Sequence, residues 1–432
     1  MQTLRVRSRK DLERLSARLR AQAAPAPAEG RTVAAILADV AKRGDAALLA
    51  YARKFDGFSG GARDLVLGAG ALRAAYGRVD KAFIKAVDNA IANVRAYQER
   101  LKPKPWRGHL RPGVLLGQLV RPLRRVGLYV PGGEAPLVST VIMTAVPAQV
   151  AGVAELVLAT PDRFGRGVDP RIIVAADRAG VTQILRVGGA QAVAALAYGT
   201  RSVGRVDKIV GPGNRWVALA KRQVFGVCGI DMLAGPSEAL VLADDSAPAP
   251  WVAADLLSQA EHAGDETAVL VTPSAKLARA VMLALKAQLQ ALPRRQAAQS
   301  SLDRHGLVVV TEGLDLAVAV ANAVAPEHLQ LMVREAESLL PRLQAAGAIF
   351  VGPFTPVVLG DFLAGPSHVL PTGGTARFSS GLSVEDFVTK SSIIGYSGVA
   401  LGGALADLEQ IGAAEGLEAH VRSASIRLKR RA

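Results

Sequence analysis

Cysteine occurs once in this 432-residue sequence, at Cys228. One thiol cannot form an intramolecular disulfide or a thiolate-rich zinc site, so nothing ties the fold to an oxidising compartment. Its setting, Val227-Cys228-Gly229-Ile230, reads as a packing position rather than a nucleophile. Aromatic residues make up only 4% while Ala and Gly abound, a mix that disfavours a β-sandwich and suits helices packed closely on sheets. A long apolar run is also missing. The most apolar window, 141–160, is interrupted by Pro147, Gln149 and Glu155, whereas a membrane span needs about 20 nearly uninterrupted apolar residues. The Arg-rich N-terminal stretch contains Asp11 and Glu13 and no apolar core, unlike a secretory signal. These absences predict a soluble cytoplasmic protein with no membrane partner.

Acidic residues are in deficit, 37 against 52 Lys and Arg, for a formal charge of +15. Such a balance raises the question of anionic partners. The basic residues, however, are spread along helix-like stretches with acidic neighbours, as in 5–20, and only the short runs at 121–125 and 427–431 stand out. No basic stripe is interleaved with aromatics, so no nucleic-acid role is expected.

The length predicts two or more domains. The first 56 residues read as helical, with an Ala-Pro linker at 24–28 and stops near Gly44 and Gly57, and 72–101 reads as one long helix. From Val126 the pattern turns into short β-rich runs alternating with helical ones, the signature of βαβ units and parallel sheets. Expected strands in a first block are 127–130, 156–160, 183–187 and 208–210, and in a second block 239–243, 269–272, 307–311 and 348–351. Helices are expected between them, including 138–150, 190–198, 251–263, 274–291 and 334–345, and after Gly381 a helical tail.

Two Gly-rich turns follow expected strands, Pro131-Gly132-Gly133 and Gly211-Pro212-Gly213-Asn214. Either could bring a phosphate to backbone N–H groups, yet neither is a full dinucleotide fingerprint, since Trp216 stands where the second would need its third glycine. A tight turn is the competing reading.

Four of the six histidines, His262, His328, His368 and His420, share a short segment with Gln, Glu or Asp, whereas His109 and His305 do not and are read as surface residues. An imidazole beside a carboxylate can bind a divalent metal or move a proton near neutral pH. Gln259 and His262 are three apart on an expected helix and share a face, where oxygen and nitrogen ligands would suit zinc or manganese. Pro326-Glu327-His328 places an acid and an imidazole at a strand entrance, two proton-transfer groups of different basicity. Asp361 and His368 sit in what reads as a loop, where α/β enzymes keep such groups. Glu415 and His420 are five apart in a helix-like tail, about 140° around one axis, so one helix could not aim both at one ion. Each pair alone also fits a solvated turn or helix end.

Taken together these segments resemble the histidinol dehydrogenase family. The residues that carry the resemblance are Leu257-Ser258-Gln259-Ala260-Glu261-His262, Ala325-Pro326-Glu327-His328-Leu329, Gly360-Asp361, Gly365-Pro366-Ser367-His368 and Glu415-Gly416-Leu417-Glu418-Ala419-His420. Tyr129-Val130-Pro131-Gly132-Gly133, Lys208 through Asn214, and Asp231 through Glu238 belong to the same set, so the likeness runs over nearly the whole chain. It implies a four-electron oxidoreductase that converts L-histidinol to L-histidine through bound L-histidinal with two NAD+, the last step of histidine biosynthesis.

By the same resemblance one zinc per subunit would be held by Gln259, His262, Asp361 and His420. His328 would be the base of the alcohol oxidation, and Glu327 would activate the water that hydrates the aldehyde. Ser237, His368 and Glu415 would join the zinc ligands and His328 around the substrate, and Tyr129, Gln191 and Asn214 would bind NAD. Phe362 and Ser367 replace a commoner Tyr and Asn, and Gln330 stands where Glu is frequent; none is an expected ligand.

The expected fold class is α/β, with two incomplete Rossmann-like parallel-sheet domains, small helical N- and C-terminal segments and a domain-swapped homodimer. The expected division is a helical segment at 1–25, a first α/β domain at 26–128 and 236–381 with most of the active site, an NAD-binding domain at 129–235, and a helical tail at 382–432 that reaches the partner subunit. Rival readings are a related zinc/NAD alcohol dehydrogenase on another small polar alcohol, and a zinc hydrolase in which Glu327 activates metal-bound water. Zinc alcohol dehydrogenases of sulfonated diols share the scaffold, and the presence of His368 and Glu415 favours histidinol.

Overall fold

The computed structural model describes residues 1–21, 27–132, 135–162, 165–261 and 265–428. Along the chain the strands are β1 (Gln2–Val6), β2 (Trp106–Arg111), β3 (Val114–Pro122), β4 (Arg125–Tyr129), β5 (Glu155–Ala159), β6 (Gln183–Leu185), β7 (Lys208–Val210), β8 (Gly229–Ile230), β9 (Glu238–Ala243), β10 (Thr267–Thr272), β11 (Leu307–Thr311), β12 (His328–Met332), β13 (Ala348–Val351) and β14 (Val388–Tyr396). The chain divides into two compact units, Met1–Leu101 with Leu123–Phe387, and Lys102–Pro122 with the residues from Val388 onward.

The first unit holds two wholly parallel sheets, of order β6-β5-β4-β7-β8 and β1-β11-β10-β9-β12-β13. This is the α/β architecture that the alternation of strand and helix predicts. Both faces of the larger sheet are covered: Val241, Ala243 and Leu270 enter one apolar cluster, and Leu240, Leu242, Val269, Val271, Leu329 and Leu331 the other. Two-sided burial explains why these strands read as unbroken apolar runs. In each sheet the strand order reverses once, between β4 and β7 in the smaller and between β9 and β12 in the larger.

The second unit is built on the antiparallel sheet β14-β3-β2, followed by helices Gly398–Glu415 and Glu418–Ser425.

Several local expectations are corrected. The N-terminal segment is not purely helical, because Gln2–Val6 pairs in parallel with β11. The stretch 72–101 is two helices, Ala69–Tyr76 and Lys81–Leu101, parted at Gly77. Around 334–345 only a 3-10 turn forms, Ala336–Arg342, with Pro341 inside it, where a proline cannot donate the helical hydrogen bond. The tail begins with a 3-10 turn, Val384–Phe387, and nine residues of strand, β14, before its helices. No helix among the described residues is long and apolar enough to cross a membrane.

Candidate active site

The acid–base pair is created by a sharp turn. Helix Leu314–Val324 ends on Ala325, whose left-handed backbone (φ 50°) is the one non-glycine example of positive φ among the described residues. Such a conformation costs roughly 1 kcal/mol or more and marks a constrained site. Pro326 follows, then Glu327, and His328 opens β12. Glu327 and His328 are both 5% exposed.

Their partners come from the head of β9. The Glu238 N–H donates to Glu327 Oε2 at 2.9 Å. His328 Nδ1 lies 3.2 Å from the Glu238 carbonyl, and since a carbonyl only accepts, Nδ1 carries the proton and the basic lone pair of a neutral ring sits on Nε2. That nitrogen is 3.7 Å from Asp361 Oδ1, and Nδ1 is 3.7 Å from Glu327 Oε2. Phe350 packs on the ring, centroids 5.9 Å apart. Burial first, then the nearby Glu238 and Asp361 carboxylates, push the Glu327 carboxyl well above its ordinary range, against the Glu238 N–H and the Ser237 hydroxyl. A raised carboxyl is a stronger base once ionised, the tuning that proton transfer near neutrality requires.

Asp361 lies in the short helix Val357–Phe362 rather than in a loop. His368 Nδ1 donates to the Asp361 carbonyl at 3.0 Å, and the Thr140 hydroxyl lies 3.1 Å from His368 Nε2. Ser367 is buried and its hydroxyl donates to the Met143 carbonyl at 3.1 Å. Ser237, Glu327, His328, Asp361 and His368 thus form one chain of contacts, reached by helix Val138–Ala151 through Thr140 and Met143.

For a metal, Gln259 is the informative residue. It lies in the last turn of helix Ala249–Ala260, 3% exposed, and its Nε2 is buried with no hydrogen-bond partner among the described residues. Amide nitrogen and oxygen assignments are interchangeable, so the end of this side chain fits a cation's need for an inward-facing oxygen. Among the described residues no group of three or more His, Cys, Asp or Glu stands ready to hold a metal. His262 lies outside the described residues. Glu415 and His420 belong to the second unit and are exposed. They are not on one helix: Gly416, at φ 67°, ends helix Gly398–Glu415, and His420 sits in helix Glu418–Ser425.

The residues tied by resemblance to NAD gather elsewhere in the first unit, at the carboxyl ends of β4, β6 and β7. The buried Tyr129 closes β4, and its hydroxyl accepts from the Gly189 N–H at 3.0 Å. Burial pushes that hydroxyl up to about 12. Gln191, 2% exposed, lies in the first turn of helix Gly189–Tyr198, beside Asp56, which accepts from the Gly188 N–H at 3.1 Å. Burial raises the Asp56 carboxyl to about 6. Asn214 is exposed, and its Oδ1 caps helix Arg215–Val224 by accepting from Trp216 and Val217.

Before that cap, Gly211 adopts φ +114°, and any Cβ would stand 2.2 Å from the Tyr129 carbonyl, so only glycine fits. Gly211 is gripped by a buried ion pair, since its carbonyl accepts from Lys221 Nζ at 2.9 Å, its N–H donates to Asp231 Oδ2 at 2.7 Å, and Lys221 pairs with Asp231. Neither Asp56 nor the Lys221–Asp231 pair, nor Thr140, was singled out by sequence reasoning. A lysine three residues before the end of an otherwise apolar helix face was the available signal for Lys221.

A family model described as histidinol dehydrogenase matches residues 20–428. The histidinol dehydrogenase of Syntrophotalea carbinolica is 51% identical over 405 residues, 93% of this chain and 94% of that protein. That of Geobacillus kaustophilus is 50% identical over 403 residues, with 93% and 94% covered. Among solved structures, the histidinol dehydrogenase of Elizabethkingia anophelis superposes with a TM-score of 0.94 at 33% identity, covering 99% of this chain and 98% of that one. An acetylating aldehyde dehydrogenase from Geobacillus thermoglucosidasius shares the fold alone, with a TM-score of 0.50 and 13% identity over 90% of this chain and 96% of that one.

Proposed function

Since the chain belongs to the histidinol dehydrogenase family and is an oxidoreductase, we propose that it converts L-histidinol to L-histidine through L-histidinal, using two NAD+ in turn. The observation that carries this reading is the buried Glu327–His328 pair, an acid and an imidazole adjacent in sequence and both braced by Glu238. A two-stage oxidation at one centre takes a proton from the alcohol and another from water, and this pair offers an acceptor for each.

In the first stage the substrate's C–H bond breaks, its electron pair leaves as hydride to the nicotinamide, and His328 Nε2 takes the hydroxyl proton, giving the aldehyde. The aldehyde has no hydride to give until water adds to it. Glu327 takes a proton from that water as its oxygen bonds to the carbonyl carbon, and the resulting hydrate anion gives a second hydride to the nicotinamide, leaving the carboxylic acid. General acid–base help of this kind is worth about 10²- to 10⁴-fold per step.

Gln259, His262, Asp361 and His420 would hold one zinc per subunit, which would orient the substrate by its imidazole and amino nitrogens. His420 and Glu415 would reach the site of the partner in a homodimer, with Glu415 pairing to the substrate's charge. His368 and Ser237 would line the substrate pocket, and Tyr129, Gln191 and Asn214 the NAD site. The division into two α/β domains, with an N-terminal segment and a C-terminal tail, is retained as part of this reading, as is a cytoplasmic location.

The test is NADH formation from L-histidinol by the purified protein, with and without a chelator. Zinc-dependent NADH is expected. Folded, zinc-supplemented protein that forms none would overturn the proposal, and a zinc hydrolase would give that silent result.

A further inference from the structure

Residues 235–238 carry no group yet assigned a proton or a metal, but they hydrogen-bond to three other segments of the site. The Gly235 N–H donates to Thr372 Oγ1 at 2.6 Å. The Glu238 main chain braces Glu327 by its N–H and His328 by its carbonyl. The Glu238 side chain runs the other way, and Oε1 accepts from the Gly373 N–H at 3.1 Å.

Gly373 ends the segment that begins at Gly365 and carries His368. Both Gly373 (φ 62°) and Gly374 (φ 71°) are left-handed, and a glycine pair of this kind does not hold its own conformation. The anchor is a half-buried carboxyl at the head of a strand whose other residues, Ala239 through Ala243, are all buried and apolar. Burial pushes that carboxyl up to about 7, against the Gly373 N–H and the nearby Arg377. A partly desolvated carboxyl needs hydrogen-bond partners, and the Gly373 N–H supplies one.

We propose that Glu238 is a positioning residue for the alcohol substrate, its side chain fixing the His368 segment at a set distance from the Glu327–His328 pair that its own main chain braces. The strand β9 supplies the rigidity, and the Gly373 bond transmits it to the segment that contacts substrate. This rests on the histidinol-oxidising reading of the same site.

The experiment is steady-state kinetics with L-histidinol and NAD+ on the zinc-loaded full chain. Glu238→Ala should raise KM for histidinol roughly 3- to 10-fold, the net worth of one ordinary hydrogen bond, with kcat and the KM for NAD+ within about twofold of the parent. Glu238→Gln keeps an acceptor oxygen for Gly373 and should restore KM. An unchanged KM in the Ala variant, a fall confined to kcat, or a Gln variant as impaired as Ala would each overturn the proposal. If the Ala variant does not fold, Glu238→Asp takes its place, one methylene too short to reach Gly373. A raised KM in Asp but not in Gln then supports the proposal, and a parental KM in Asp contradicts it. Turnover by the parent with KM insensitive to Glu238 removes this proposal alone, whereas a parent that forms no NADH removes the functional reading beneath it.

Discussion

The two parallel sheets present opposite edges to their polar clusters. In the smaller sheet Tyr129 closes β4 and Gly211 follows β7, so the cluster lies at the carboxyl edge, beside the strand-order reversal. Helices begin there, and their N-termini offer N–H groups and a partial positive charge, the setting α/β proteins use for anionic cofactors. In the larger sheet Glu238 opens β9 and His328 opens β12, also beside the reversal but at the amino edge. Helices end there: Gln259 is in the last turn of one, and Ala325 caps another. Helix C-termini carry partial negative charge and favour cations. One fold thus provides an edge suited to phosphates and an edge suited to a metal or an ammonium group.

The clusters also differ in how their polar groups are used. At the carboxyl edge they stitch the backbone: Asn214 caps a helix, Tyr129 holds Gly189, and Lys221 with Asp231 grips Gly211. At the amino edge, side chains from distant segments meet one another, and the backbone braces them. Substitutions should therefore act on chemistry at one edge and on stability at the other.

The largest expected effect is on rate. His328→Asn should lower kcat for alcohol oxidation about 10²- to 10⁴-fold with little change in melting temperature; an unaffected kcat would erase the distinction between the edges. Next comes Lys221→Met, which strands the fully buried Asp231 carboxylate. Losing one partner of a buried pair costs about 3 to 5 kcal/mol, to be read as a lower urea midpoint, and a midpoint like the parent's would show that the pair does not hold the loop.

The smaller effect depends on pH. Asp56 has its folded carboxyl raised from the ordinary 3.8 to about 6 by burial, so ionising it opposes folding. Its contribution is fully present below the ordinary value, and stability falls as pH rises from about 4 to about 6 and stays lower above that. Asp56→Asn can still accept from Gly188 but does not titrate. It should melt above the parent at pH 8 and show no such advantage at pH 4, and the opposite pattern would contradict the burial argument.

How much of this was legible in the sequence follows from the same physics. The strands 239–243, 269–272 and 307–311 are legible because burial on both faces leaves unbroken apolar runs, and the edge strand 348–351 by its apolar residues alone, since only Phe350 in it is buried. β1, β2 and β14 are not, since Gln-Thr-Leu-Arg-Val, Trp-Arg-Gly-His-Leu-Arg and the polar start of β14 are mostly exposed, and their conformation comes from pairing with distant partners. Glu327 and His328 were legible as neighbours at a strand entrance. Glu238 stands in a legible motif but its role is not legible there, because its part depends on which residues β12 and the 365–373 segment bring beside it. The helix-like pattern through Glu415 and His420 hides a break at Gly416, the glycine that ends the first helix.

The central claim, that Glu327 and His328 divide two oxidations between them, is tested most directly by assaying the half-reactions of Glu327→Gln separately. The account predicts that histidinal reduction by NADH stays within about tenfold of the parent while histidinal oxidation by NAD+ falls about 10²-fold or more. Equal losses in both half-reactions would contradict it.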